Sequence, residues 1–184
     1  MSLADDLRAL RDRVLADLNV ARDYYTNTKI AWIIVRDSIA AGRTFVIRNI
    51  TTGTVTTQAD LVDKASGYVS EQLTEATFQQ FVSIFENFFF DFLRLWLVAY
   101  PKSLMGRKID FKDVLGAPDK DSITLIVVEK EINDVLYERP AGWFAYLEDK
   151  VKLGCPASGE IDRIAEAKAS RDVLVHNRGI AGKA

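Results

Sequence analysis

The sequence predicts an all-α helical bundle of four or five main helices, in one domain spanning residues 1–184. Three observations carry this prediction. Apolar residues recur at three- and four-residue steps along most of the chain, glycine and proline stand where those runs end, and the connections are short. Hydrophobic residues make up 48% and charged residues 27%, a balance that supports a packed core rather than disorder.

Taken in order, the first run extends from Ala4 to about Ala41. Leu7, Leu10, Val14, Leu18 and Ala21 line one face, with Asp5, Arg8, Arg11 and Asp12 around it. The pattern continues through Trp32, Val35 and Ile39, and Gly42 offers a stop. "RTFVIRNITTGTVTTQ" is rich in β-branched residues, with Gly53 near its middle. It reads as a short β-hairpin excursion near residues 43–58, or as a mobile excursion between helices.

A helix from about Ala59 to Leu73 leads into a longer one, about Glu75 to Tyr100, which Pro101 ends. The expected core stripe of the longer helix is Phe78, Phe81, Val82, Phe85, Phe89, Phe92 and Trp96. Phe90, Leu97 and Val98 lie among polar residues on the other side, which calls for a second subunit or a covering segment of the same chain.

"DSITLIVVEKEINDVLYE" is read as helix because Ile123, Ile126, Val127, Ile132, Val135 and Leu136 fit helical spacing and "EKEIND" is poor strand material. "PAGWFAYLEDKVKL" starts with Pro140 in the first turn and is broken by Gly154 and Pro156. The last helix opens around Ser158 and runs into His176, with Gly179 as its terminator.

Composition also bounds function. A net charge of −2 leaves no polycationic surface, so any nucleic-acid contact needs a local basic patch. One histidine and one cysteine argue against a His/Cys zinc site, and no cofactor is expected. Cys155 alone forms no internal disulfide and suits a reducing cytosol. "MSLADDLRAL" lacks the basic start of a signal peptide, and Glu86, Asn87, Asp91 and Arg94 interrupt the most apolar stretch, so no membrane span is expected. The expected location is the cytoplasm.

The chemistry-bearing segment is "RDVLVHNRG", residues 171–179, which holds the only histidine. Residues five apart on a helix diverge by roughly 140°, so Arg171 and His176 do not share a face, whereas Asp172 and His176 do. A frayed helix end, Arg171 reaching around the helix, or a two-fold dimer joining two copies of the motif would bring the groups together. Imidazole exchanges protons near neutrality, and guanidinium binds phosphate oxygens through paired hydrogen bonds. Together they suit attack of an RNA 2′-hydroxyl on its own phosphodiester, leaving a 2′,3′-cyclic phosphate, with no metal required. Asp172 either orients the imidazole or pairs with a neighbouring cation. The plainer reading of Arg171 and His176 is an ordinary helix end with surface arginines.

Arg171, Asp172, three further residues and His176 match the R-x4-6-H motif of HEPN domains, an all-α RNase and toxin-like superfamily. "FVSIFENFFFDFLRLWLVAYPKSL", "RPAGWFAYLEDKVKL" and "AEAKASRDVLVHNRGI" resemble the early core helix, the aromatic middle helix and the motif helix of its RiboL-PSP-type branch. The resemblance implies a HEPN-like bundle, a homodimer with the motif at its interface, and RNA cleavage in phage defence, toxin–antitoxin systems or RNA stress. By position it makes Arg171 and His176 the catalytic pair and Asp172 their support, with Glu86 matching an acid on the early helix. Asn177 and Arg178 either cap the helix end or contact RNA. The implied partners are RNA, a second copy and an antitoxin or other defence-system protein; neither DNA nor a membrane is expected. The alternative function is a catalytically silent module binding RNA, a nucleotide or a partner protein. Cys155 reads as a loop thiol, and "GIAGKA" lacks the spacing of a phosphate-binding loop.

Overall fold

A computed structural model describes residues 2–176. The architecture is all-α, with no strand among the described residues. Its helices are α1 (Leu3–Ala40), α2 (Gln58–Gly67), α3 (Leu73–Ala99), α4 (Phe111–Gly116), α5 (Lys120–Leu136), α6 (Pro140–Val151) and α7 (Ser158–His176). The chain divides into two compact units, one built from residues up to Leu15 and from Val82 onward, the other from Ala16–Phe81. Both divisions fall inside helices, α1 and α3, where no linker composition marks them.

Local chemistry explains most helix boundaries. Ser2 and Asp5 cap α1 reciprocally, each side chain accepting from the other's backbone N–H at 3.3 Å. Beyond α1, Gly42 takes a positive φ of 83°, which side-chain-bearing residues rarely adopt. The Asp119 carboxylate accepts from the Ser122 N–H at 2.7 Å to open α5, and Pro140 occupies the first turn of α6. At the start of α7 the Glu160 carboxylate reaches back to the Ala157 N–H at 3.2 Å.

In the unit Ala16–Phe81, Ala21, Leu61, Ala65, Leu73 and Thr77 are buried. Trp32 of α1 meets Tyr68 with ring centroids 5.0 Å apart. The segment between the helices is a tight turn closed by one antiparallel bridge, Arg48 to Val55, with the Asn49 side chain accepting from the N–H groups of Thr51 and Thr52. It has the hairpin's reversal without a strand. The break expected between α2 and α3 is absent: a π-helical turn, Tyr68–Gln72, joins them, and no proline interrupts the backbone there.

The other unit holds the main core. Phe89, Phe90, Leu93 and Leu97 of α3 pack with Val128, Ile132 and Val135 of α5 and with Trp143 and Phe144 of α6. Ile161 and Ile164 of α7 pack against this cluster. Trp143 is fully buried, its ring centroid 4.9 Å from that of Phe90 and 5.3 Å from that of Phe89. Arg94 joins α3 to α5 through two hydrogen bonds to Glu129, at 2.6 and 3.0 Å, and these hold the Glu129 carboxyl below its ordinary range. Glu131, only 2% exposed, is paired with Arg107 at 2.5 Å. Burial, then the neighbouring Glu131 carboxylate, pushes the Tyr146 hydroxyl above its ordinary range.

The buried face of α3 differs from the expected stripe. From Val82 onward the buried positions are Val82, Phe89, Phe90, Leu93 and Leu97, whereas Phe78, Phe81, Phe85, Phe92 and Trp96 are half-buried. On a helical wheel the buried set is rotated by roughly 75° from that stripe. Phe90 and Leu97 are therefore covered by their own chain, and of the three residues that suggested a second subunit only Val98 stays exposed, at 42%. The rotation also places Glu86 in the middle of the core face, one turn after Val82 and one before Phe90.

Candidate functional site

A carboxylate on a core face is costly unless cations reach it. Glu86 receives two, both from α7. Arg171 donates to Glu86 Oε2, and Lys168 Nζ lies 3.4 Å from Glu86 Oε1. The Glu86 side chain is 15% exposed and that of Arg171 18%. Lys168 also donates to Asp172 Oδ2 at 3.0 Å, and the Arg171 Nε stands 3.3 Å from Asp172 Oδ1. Beneath the lysine, the Trp143 ring centre is 5.8 Å from Nζ, a cation–π distance. Two cations and two carboxylates thus form one neutral cluster between α3, α6 and α7.

Helical spacing accounts for the convergence. Lys168, Arg171 and Asp172 stand at relative positions 0, 3 and 4 of α7, so their side chains share a face. The same helix turns Ile161 and Ile164 to the core, which fixes α7 against α3 and brings Arg171 to an acid 85 residues earlier.

The site residues expected from the sequence are only partly brought together. Glu86, Arg171 and Asp172 meet. His176 is exposed at the end of α7, and its imidazole has no hydrogen bond or ion pair among the described residues. Because α7 stays helical through His176, Arg171 and His176 diverge as ideal geometry requires, and no frayed turn joins them. Asp172 pairs with the cations beside it rather than with the imidazole. Asn177, Arg178 and the terminator Gly179 lie outside the described residues. The Cys155 thiol donates to the Phe144 carbonyl at 3.3 Å, as a loop thiol folded back on the body of α6.

Lys168 and Trp143 belong to the cluster and were not singled out from the sequence. The lysine carried a signal, the i to i+4 spacing to Asp172. The tryptophan carried none beyond its aromatic helix.

Among the described residues no helix is long and apolar enough to cross a membrane. No protein-family model, curated protein or solved structure matches the chain.

Proposed function

We propose that the chain is a metal-independent endoribonuclease of the HEPN type, in which Arg171 binds the scissile phosphate and His176 transfers the proton of the attacking 2′-hydroxyl. The observation that carries this reading is the state of the two residues on α7: an arginine anchored from across the bundle by Glu86, and, five residues later, an exposed imidazole with no partner among the described residues. Imidazole in that setting reaches solvent and substrate protons, while a guanidinium held by carboxylates is kept charged and oriented. A two-fold dimer supplies the missing proximity, with His176 of one copy facing Arg171 of the other. RNA and a second copy are then the partners, and an antitoxin or other defence-system protein is the further one the resemblance implies.

The decisive assay uses RNA with a single 2′-deoxyribose at the cut site, with EDTA present. The all-ribose substrate should be cut to a 2′,3′-cyclic phosphate, and the deoxy substrate should bind without being cut. Efficient cleavage of the deoxy version would sink the 2′-hydroxyl mechanism. Light scattering at micromolar concentration should give about twice the 20.7 kDa chain mass; a clean monomer across that range removes the composite site.

One observation favours a second reading. Arg171 is tied across the bundle to Glu86 and lies beside Asp172, which suits a silent module whose arginine holds the fold and which binds RNA, a nucleotide or a partner protein elsewhere. Loss of stability in Arg171 variants, with no cleavage by the parent, would favour that reading.

A further inference from the structure

Two cations of α7, Lys168 and Arg171, converge on one carboxylate, Glu86. Their spacing of three residues sets both head groups on one side of the helix, close enough to share a single anion. Arg171 still has a donor to spare: its Nε is buried and makes no hydrogen bond, the Asp172 oxygen at 3.3 Å lying out of line. Lys168 has the Trp143 face beneath it, which keeps its head group in place without consuming a donor. Asp172 stays beside both cations, but an ammonium and a guanidinium with an unused N–H can also take a tetrahedral phosphate, whose oxygens spread in three dimensions where those of the Glu86 carboxylate lie in one plane.

We propose that Lys168 and Arg171 form a paired phosphate-binding site, and that Glu86 occupies it in the free protein as an internal competitor. The inference rests on the endoribonuclease reading for its physiological ligand, an RNA phosphodiester, but the anion site stands or falls by its own chemistry. Binding exchanges one anion for another: the phosphate takes the two cations and Glu86 gives them up. Lys168 thereby becomes a binding residue of the reaction, and Glu86 sets how tightly substrate must bind before Arg171 is released.

The test compares the full-length parent with Glu86→Gln and Lys168→Gln, using inorganic pyrophosphate and a 2′-deoxy-substituted oligonucleotide as probes in calorimetry. Glu86→Gln keeps the side-chain shape and removes the competing charge, so both probes should bind about tenfold tighter, one charge-assisted contact being worth roughly that factor. Lys168→Gln should bind both more weakly and lower the salt dependence of oligonucleotide binding by about one phosphate contact. Unchanged or weaker binding by a folded Glu86→Gln overturns the proposal. If thermal melting shows that variant unfolded, Lys168→Gln decides: parent-like affinity and salt slope overturn it, and their joint loss supports it. The two readings separate cleanly. Tighter pyrophosphate binding without any RNA cleavage keeps the anion site and removes the nuclease; RNA cleavage by the parent with no gain in Glu86→Gln does the reverse.

Discussion

His176→Ala is expected to abolish RNA turnover while leaving RNA affinity within about threefold of the parent. The imidazole is exposed and has no partner among the described residues, so its removal costs the fold little. What is lost is proton transfer, an effect of about a hundred- to ten-thousandfold for a positioned acid or base. Arg171→Lys gives the informative contrast. It retains charge but loses the planar fork, so binding and rate should both fall, the rate by about tenfold or more, since a charge-assisted hydrogen bond is worth roughly 1.5–3 kcal/mol. Single-turnover cleavage beside filter binding reads both quantities. If both variants bind and cut like the parent, neither residue takes part in the chemistry, and the silent-module reading stands.

The largest effect on stability is expected at Trp143. Its ring is fully buried between Phe89 and Phe90 of α3, and Lys168 of α7 sits over it. Trp143→Ala removes that packing and leaves a cavity, at a cost of about 3–5 kcal/mol. Domains of this size are stable by roughly 5–15 kcal/mol, so the variant should melt far below the parent or fail to accumulate. Trp143→Phe keeps most of the ring volume and should lose much less. Urea titration followed by circular dichroism checks both; a Trp143→Ala midpoint within error of the parent would mean that this ring does not anchor the core.

Helix identity was legible from residue spacing, and the segment from Asp121 to Glu138 shows why. Ile123 to Val128 suits a buried strand, but the three- and four-residue steps among Ile123, Ile126, Val127, Ile132, Val135 and Leu136 decided correctly for α5. The face of α3 was not legible. Phenylalanine and tryptophan weight a helical wheel by size, yet the core selected the side that also carries Leu93 and Leu97, because α5 and α6 pack there. The same rotation hid the environment of Glu86. Nothing in the local spacing marks its surroundings, and only a partner 85 residues away shows that it lies on a core face. In the candidate site, Arg171 and Asp172 were legible as neighbours on α7, whereas the engagement of Arg171 by Glu86 is a tertiary fact with no local signature. The short 3-10 turn Pro101–Leu104 and α4 gave too few residues for a period to emerge.

The π-helical turn Tyr68–Gln72 has a consequence for chain length. Leu61 and Ala65 are buried before it, Leu73 and Thr77 after it, each pair four apart. Between Ala65 and Leu73 lie eight steps, which in an unbroken α-helix would turn the second pair roughly 80° away from the first. A π turn takes up one residue more than an α turn, so the eight steps act as seven and both pairs fall within about 20° of one line. The segment therefore holds a one-residue surplus that the helix hides. Deleting any single residue from 68 to 72 would convert the turn to regular α-helix and let the flanking helices keep their phase. An equivalent deletion further along α3 would swing everything downstream by about 100° and carry Glu86 or its neighbours off the core face. Within the continuous helical run from Gln58 to Ala99, the inexpensive place for a length change is this turn, and it lies well before the residues that α7 reaches.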